Sequence, residues 1–336
     1  MRAIDVRAGL SRAEFVEQVR PACRPLVIRG AVSDWPLIEA GRESARAAAD
    51  YIEALDTGEP VDVMVAPPVE NGRFFYRDDM RGFNFRRERT ALSRLVRLLL
   101  ELEGQDAPVA IYAGAVATGA HLPGFSQSHR FDLLAGESDA TQRLWIGNAS
   151  QVASHFDMAD NFAVVVRGER RFTLFPPEAT PDLYVGPLNI TLAGQPVSMA
   201  DPLAPDLARY PRFARALDSA VQATLQPDDA LYIPALWWHH VEAFGPFNIL
   251  VNYWHNDVAS GGAFLALVHA MMAVRDLPRE QREAWRVWFD HFVFGDDAAH
   301  AADHLPPHGR GINGPASPER NEAIRQFLIR VLSEPE

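Results

Sequence analysis

Three features that this 336-residue chain lacks narrow its class before any motif is considered. It has a single cysteine, Cys23, so no disulfide can form within the chain, and a reducing compartment is expected. Its most apolar stretch, Gly261 to Val274, is interrupted by His269 and is too short to cross a bilayer. The first residues, Met1 to Arg20, have no apolar core typical of a signal peptide. We therefore expect a soluble, cytoplasmic protein without a membrane span.

A net positive charge is also lacking. The 32 basic and 44 acidic residues leave a net charge of −12, which disfavours broad binding to a phosphate backbone and thus a nucleic-acid partner. One local basic stretch, Arg81 to Arg97, runs against this balance. Its leucines favour a helix with an apolar stripe and a solvated basic face.

Short strand-like runs dominate the chain from Pro108 onwards, separated by glycine, proline and acidic residues. This pattern predicts a sandwich or barrel. Arg167-Gly168-Glu169 is typical of a hairpin turn, and Gly186 to Leu225 is typical of a long binding loop or lid. The predicted strands are Pro25 to Gly30, Val109 to Ala115, Arg143 to Gly147, Ala153 to Asp157, Asn161 to Val166, Arg170 to Phe175, Ala230 to Ile233, His239 to Phe244 and Phe247 to Tyr253.

Helices are predicted on both sides of this strand-rich part. They are Ser11 to Val19, Ser44 to Leu55, Thr90 to Glu103, Gly262 to Arg275, Pro278 to Val293 and Pro318 to Leu332. Ser317 is a good capping residue for the last of them. The chain is thus predicted to divide into a mainly β domain, 1–257, and a helical region, 258–336.

Metal-ligand residues occur in two separate segments. His155-Phe156-Asp157 ends a predicted strand, and in an extended chain residues i and i+2 project to the same face. Two histidines and one carboxylate that leave coordination positions open form the facial triad of non-haem Fe(II) oxygenases. The spacing alone is weak, because His255-Asn256-Asp257 repeats it with no later strand to supply a third ligand.

The third ligand is expected to be His239 or His240. Strand alternation places His239 on one face and His240 with Glu242 on the other. A charged Glu242 belongs outside, so His239 should point inwards. The alternative is that both histidines only satisfy hydrogen bonds beside Trp237 and Trp238.

Together these motifs resemble the JmjC-type, cupin-like Fe(II)/2-oxoglutarate oxygenases, in particular the branch with the asparaginyl hydroxylase that acts on hypoxia-inducible factor. The matching segments are Pro25 to Gly30 with Trp35-Pro36, Leu144 to Asn148, His155 to Pro177, Asp229 to His240 and Val251 to Trp254. The resemblance implies a double-stranded β-helix barrel with flanking helices. It also implies C-terminal helices that form a homodimer.

The resemblance implies a role for each matching residue. His155, Asp157 and His239 correspond to the iron ligands. Asn161 and Asn252 match amides that line the 2-oxoglutarate pocket, Tyr112 a tyrosine that binds the far carboxylate, and Trp254 an aromatic residue near the iron. For Tyr112 and Trp254, core packing is the alternative.

Two positions depart from the family pattern. Arg170 stands where the family usually has a lysine that anchors the far carboxylate of 2-oxoglutarate. A guanidinium can hold a carboxylate through two hydrogen bonds, so the role is chemically possible. The alternative is that Arg170 belongs to a solvated hairpin edge. Val152 replaces a hydroxyl residue three positions before the first ligand.

The implied activity uses Fe(II), 2-oxoglutarate and O₂ to hydroxylate a substrate C–H bond. We expect a side chain of a protein or peptide as substrate, with a small metabolite as the next hypothesis and a modified tRNA base as the third. A non-catalytic, metal-binding cupin-like module and an interaction protein built around the C-terminal helices are the hypotheses from other classes.

Overall fold

The computed structural model describes residues 1–192, 194–255 and 262–333. The chain divides into two compact units, Met1–Asp257 and Val258–Glu336. In the described residues, no helix is long and apolar enough to cross a membrane.

In the described residues of the first unit, thirteen strands form one large, mixed and open sheet. They are β1 Arg2–Ala3, β2 Asp5–Ala8, β3 Leu26–Arg29, β4 Val61–Ala66, β5 Arg73–Phe74, β6 Arg86–Thr90, β7 Ala110–Ala117, β8 Thr141–Gly147, β9 Ser150–His155, β10 Asp160–Phe175, β11 Val221–Leu225, β12 Ala230–Ile233 and β13 Trp238–His255.

The main path through the sheet runs β2-β3-β12-β10-β13-β8-β7-β4-β6. A second path branches from the long strands, because β11 pairs with β10 and β1, and β9 pairs with β13 and β5. β10 and β13 therefore belong to both parts of the sheet, and the two parts meet around the cavity described below.

β10 and β13 are continuous strands, so the predicted hairpin turn at Arg167-Gly168-Glu169 is wrong. The predicted runs on either side of Gly168 do not pair with each other; both pair with β13, with register shifts between Val165 and Glu169. Gly168 has a φ of +80°, and a Cβ there would lie 2.0 Å from Oδ1 of Asn248. The glycine thus permits an irregularity within one strand, not a reversal of the chain.

In the part of the first unit that the structure describes, short helices flank the strands: α1 Arg12–Glu14, α2 Arg20–Ala22, α3 Pro36–Glu43, α4 Ala45–Leu55, α5 Leu92–Leu102, α6 Thr118–His121, α7 Phe125–Ser128 and α8 Phe213–Ser219. A π-helical turn, Phe15–Val19, joins α1 to α2, and 3₁₀ turns occur at Pro68–Glu70, Asp132–Leu134 and Pro177–Asp182. The insertion 186–225 therefore contains α8 and β11, which the sequence did not predict.

The largest hydrophobic core lies between the sheet and the helices α3, α4 and α5. Ile38, Ile52 and Leu99 belong to one buried cluster with Ile146 and Ile249 of the sheet. Burying each such side chain stabilises the fold by roughly 1.5–3 kcal/mol. The helices thereby cover one face of the sheet and leave the other face to form a cavity.

The helix predicted from Thr90 to Glu103 is confirmed as α5, but the interpretation of the whole basic stretch Arg81 to Arg97 as a helical face is wrong. Arg86, Arg87 and Arg89 lie on strand β6, and only the part from Leu92 onwards is helical. The leucine spacing correctly predicted the buried face of α5, but it gave no information about the residues before it.

The second unit contains α9 Ala263–Ala273, α10 Arg279–Phe289 and α11 Pro318–Ser333, close to the three predicted helices. A π-helical turn, Asp290–Phe294, follows α10, and 3₁₀ turns occur at Ala298–His300, Pro307–Gly309 and Gly311–Asn313. The backbone N–H of Arg320 donates to Ser317 Oγ at 3.1 Å, which confirms the predicted cap. The described elements confirm the predicted mainly β fold with flanking helices, and the residues of the second unit are helical, as expected.

Candidate metal centre

The two predicted ligand segments meet across the pairing of β9 with β13. His155 lies directly opposite His239 in the register of these strands, and their ring centroids are 4.2 Å apart. Asp157 follows two residues after His155, and its Oδ2 lies 3.7 Å from Nε2 of His239. One possible ligand atom from each of the three residues lies within 4.8 Å of the other two, which is close enough for a single ion.

Both histidines are oriented through Nδ1. The Nδ1 of His155 is 2.9 Å from the carbonyl oxygen of Ala153, and that of His239 is 3.1 Å from the carbonyl oxygen of Trp237. A proton on Nδ1 that donates to a carbonyl leaves Nε2 unprotonated and available to a metal. Burial and the neighbouring His155 lower the pKa of His239 to about 4, so at neutral pH this ring is in the uncharged form that binds metals.

The carboxylate of Asp157 is held by two side-chain donors. Its Oδ2 accepts hydrogen bonds from Asn161 Nδ2 at 3.0 Å and from Trp254 Nε1 at 2.9 Å. Asn252 donates to Asn161 at 3.1 Å, and Trp145 donates to Asn252 at 2.6 Å. Trp254, Asn161 and Asn252 thus belong to one hydrogen-bonded chain that fixes the orientation of Asp157.

Arg170 lies inside the protein, with a relative exposure of 2%. Its Nε and Nη2 find no hydrogen-bond partner among the described residues, whereas its guanidinium interacts with the hydroxyl of Tyr112. Burial raises the pKa of Tyr112 to about 12, so the hydroxyl stays protonated. Arg170 is therefore not part of a solvated hairpin edge; the adjacent Arg171 lies on the other face and pairs with Glu242.

A cavity of about 180 Å³ connects the predicted metal ligands with Arg170 and Tyr112. All eight residues predicted for the site line it: Tyr112, His155, Asp157, Asn161, Arg170, His239, Asn252 and Trp254. Val152 also lines it, so the site lacks a hydroxyl at that position.

His240 does not line the cavity, as strand parity predicted, but the stated reason was partly wrong. Glu242 shares its face and is not solvated: its exposure is 5%, and Arg171 binds it through two hydrogen bonds of 2.6 and 2.5 Å. Trp238, also on this face, belongs to one buried cluster with Phe213 of α8. The outer face is thus covered by the 176–220 segment, which the sequence reading did not foresee.

His255, the first residue of the second His-x-Asp spacing, has a structural role in the core. His255 is 2% exposed, and its ring stacks on Phe162 at 5.7 Å. Asp257 lies outside the described residues.

Sequence reasoning missed further cavity residues. The ring centroids of Trp145 and Tyr112 are 5.9 Å apart. Trp145 lines the cavity and lies in the segment Leu144 to Asn148 that carries the resemblance, so that segment could have identified it. Asp62, Arg87 and Gln195 lie at polar positions of the wall and carry no local signal, because they come from three distant segments.

Comparison with known proteins identifies the family. A cupin-like domain model matches residues 11–261, about three quarters of the chain, so the chain belongs to the family of cupin-like, JmjC-type domains.

Three relatives illustrate its range. The chain is 29% identical over 265 residues to the human bifunctional peptidase and (3S)-lysyl hydroxylase JMJD7, covering 69% of this chain and 77% of the relative. It is 26% identical over 309 residues to the mouse tRNA wybutosine-synthesizing protein 5, covering 82% of this chain and 90% of that protein. Human HSPB1-associated protein 1 is 38% identical over 122 residues, which is 35% of this chain and only 24% of that protein.

Proposed function

We propose that the protein is an Fe(II)- and 2-oxoglutarate-dependent oxygenase that hydroxylates a side chain of a protein or peptide. The observation that carries the proposal is a single cavity with His155, Asp157 and His239 at one position and the buried Arg170 at another. Membership of a family with a lysyl hydroxylase relative supports an oxygenase of this kind.

The residues fit the two groups that the proposal requires. Neutral imidazoles and a carboxylate suit Fe(II), and three protein ligands leave positions for other molecules. A buried guanidinium without an anionic partner costs on the order of several kcal/mol, so the Nε and Nη2 of Arg170 suit a carboxylate from outside the chain. 2-Oxoglutarate has a carboxylate at each end and can satisfy both positions.

When bound, the iron would couple the oxidative decarboxylation of 2-oxoglutarate by O₂ to hydroxylation of the substrate. The chain's own residues supply binding and orientation. Arg170 and Tyr112 hold the far carboxylate, Asn161 and Trp254 fix Asp157, and the apolar wall that includes Val152 and Phe172 excludes water.

Peptide or protein substrates are favoured because JMJD7, by its name, is a lysyl hydroxylase. A modified tRNA base is the second candidate, favoured by the long alignment with tRNA wybutosine-synthesizing protein 5. The net charge of −12 argues against RNA. Addition of bulk tRNA or of a peptide pool to the iron-loaded protein, followed by mass spectrometry for one added oxygen, separates the two.

The proposed activity is tested by succinate formation from 2-oxoglutarate in air. Wild-type protein loaded with Fe(II) should form succinate, and His239→Ala should not. Equal turnover in the two proteins would contradict the proposal, as would its complete absence in the wild type.

We also propose that the second unit forms a homodimer. Among its described residues only Ala302 is buried, whereas Leu265, Met272, Trp288 and Phe294 are at least 60% exposed. Apolar surface of this extent requires a partner surface. Sedimentation at micromolar concentration should give a dimer, and a monomer would refute this part.

A further inference from the structure

Strand β6 is a free edge of the sheet. It is the last strand of the main path, and in the described part of the chain it pairs only with β4. The side chains of Arg86, Glu88 and Arg89 are 63, 50 and 68% exposed, so no described segment covers them. An edge strand presents backbone N–H and C=O groups that can pair with another extended chain.

The face of β6 that carries Arg87 is continuous with the wall of the cavity. Met64 on β4 lies opposite Arg87 on β6 and opposite Tyr112 on β7, so the three side chains form a row across three strands. All three line the cavity. A chain added beyond β6 would place alternate side chains on this same face, beside Arg87 and at the cavity mouth.

The opposite wall of the cavity mouth, which includes Leu192, is held by hydrogen bonds from Arg87 of β6 and from Tyr76. The guanidinium of Arg87 donates to the carbonyl oxygen of Leu192, and the hydroxyl of Tyr76 donates to that of Ile190. Leu192 is itself buried in a cluster with Val197. The mouth is therefore formed before a ligand arrives.

The positive charge of β6 favours a partner that carries carboxylates. β6 carries three arginines and one glutamate in a chain with a net charge of −12. In the described residues, Arg86 forms an ion pair with Glu88, and Arg89 forms one with Asp62 at 3.7 Å and donates to the carbonyl oxygen of Pro60. Exposed ion pairs of this kind contribute about 0–1 kcal/mol and exchange readily for a partner's carboxylates. Charged edge residues also deter aggregation, but that role leaves the position of Arg87 at the cavity unexplained.

We propose that β6 receives an acidic, extended peptide segment as an added strand, and that one of its side chains enters the cavity past Arg87. This inference rests on the proposed function and specifies its substrate class. Main-chain pairing gives affinity with little dependence on sequence, and the pocket and the charges give specificity. Pairing of β6 with the β6 of a second copy is disfavoured, because it would bring the arginines of both edges together.

Two pools of synthetic peptides of about ten residues, long enough to pair with a strand of this length, test the proposal. Both have randomised centres; one is flanked by Asp and Glu, the other by Lys and Arg. The iron-loaded protein should add oxygen mainly to the acidic pool. The double variant Arg86→Glu, Arg89→Glu should raise the KM for acidic peptides roughly tenfold. Arg94→Glu on α5, exposed and away from the cavity, should leave it unchanged.

Amide hydrogen exchange separates failure of this inference from failure of the proposed function, because it needs no turnover. Acidic peptides should slow exchange within Arg86–Thr90 of the wild type. Equal oxidation of both pools, or no modification of either by a protein that binds 2-oxoglutarate, would overturn the edge proposal and leave the oxygenase proposal standing. Unchanged exchange in β6 would overturn it whatever the turnover.

Discussion

The indole of Trp254 donates a hydrogen bond of 2.9 Å to the carboxylate of Asp157, so the last residues of β13 hold a ligand that belongs to the segment after β9. The contact links two parts of the chain almost a hundred residues apart. It assigns Trp254 an orienting contact with a predicted metal ligand, which is more specific than an aromatic residue near the iron.

Replacing Trp254 with phenylalanine keeps an aromatic ring and removes the N–H donor. Outer donors of this kind typically change metal affinity by about 10–100-fold, so we expect Trp254→Phe to weaken binding of Co(II), used as a probe for Fe(II), by at least about tenfold. Optical titration of the apo protein measures this. Trp237→Phe is the matched control, because that indole donates to the carbonyl oxygen of Cys23. Equal affinities in both variants would show that the contact has no orienting role.

Arg170→Met should raise the Kd for 2-oxoglutarate by about a hundredfold, because loss of one partner of a buried charge pair costs roughly 2–5 kcal/mol. Arg170→Lys keeps the positive charge but lacks the paired donors of a guanidinium, so its Kd for 2-oxoglutarate should lie between those of the wild type and Arg170→Met. Binding of 2-oxoglutarate to iron-loaded protein can be followed by calorimetry. Arg171→Lys, on the other face, should match the wild type. An unchanged Kd in Arg170→Met would remove Arg170 from the pocket.

The two adjacent histidines should differ sharply. His239→Ala removes a predicted ligand and should abolish metal binding, whereas His240→Ala, whose ring nitrogens find no partner among the described residues, should retain metal affinity within a few-fold. His240→Ala should still lower the free energy of unfolding, by roughly 1–3 kcal/mol, because its ring is buried. Metal titration measures the affinities, and urea unfolding measures the change in the free energy of unfolding. Loss of metal binding in His240→Ala would contradict the strand-parity assignment.

These predictions show what the sequence supplies. Strand alternation put His155 and Asp157 on one face and chose His239 over His240, because the period of a strand is a local property. That the two segments meet was implied by the resemblance and is seen in the pairing of β9 with β13. The burial of Arg170 was not predictable from alternation, since it depends on which residues β10 meets across the cavity. Gly168 was misread for a related reason: a glycine between two apolar runs suits both a hairpin and a bend, and only the pairing with β13 decides. The basic stretch Arg81 to Arg97 was interpreted as a helical face because its leucines have helical spacing, although the leucines begin only at Leu92, after the arginines of β6.

His129 should make stability depend on pH. Its Nε2 accepts from the N–H of Leu37 at 3.3 Å, its Nδ1 lies 2.9 Å from the carbonyl oxygen of Phe125, and burial lowers its pKa to about 4 from 6.5. Between these values the unfolded chain binds a proton that the folded chain does not, so stability falls as pH decreases from about 6.5 to about 4. The loss is on the order of 2–3 kcal/mol.

Urea unfolding of wild type and His129→Gln across this pH range isolates the contribution of His129, since other titrating groups are common to both proteins. The difference in unfolding free energy between the two should shrink as the pH falls. A difference that stays constant from pH 7 to pH 4 would show that His129 is not held in its neutral form.

The central claim is that one cavity holds Fe(II) through His155, Asp157 and His239 and holds 2-oxoglutarate through Arg170. Its most direct test is an anaerobic titration of the apo protein with Fe(II) and 2-oxoglutarate, followed by visible absorption. We predict a charge-transfer band that requires both additions, is absent in His239→Ala, and needs a much higher 2-oxoglutarate concentration in Arg170→Met. No band in the wild type, or the same band in His239→Ala, would contradict the claim.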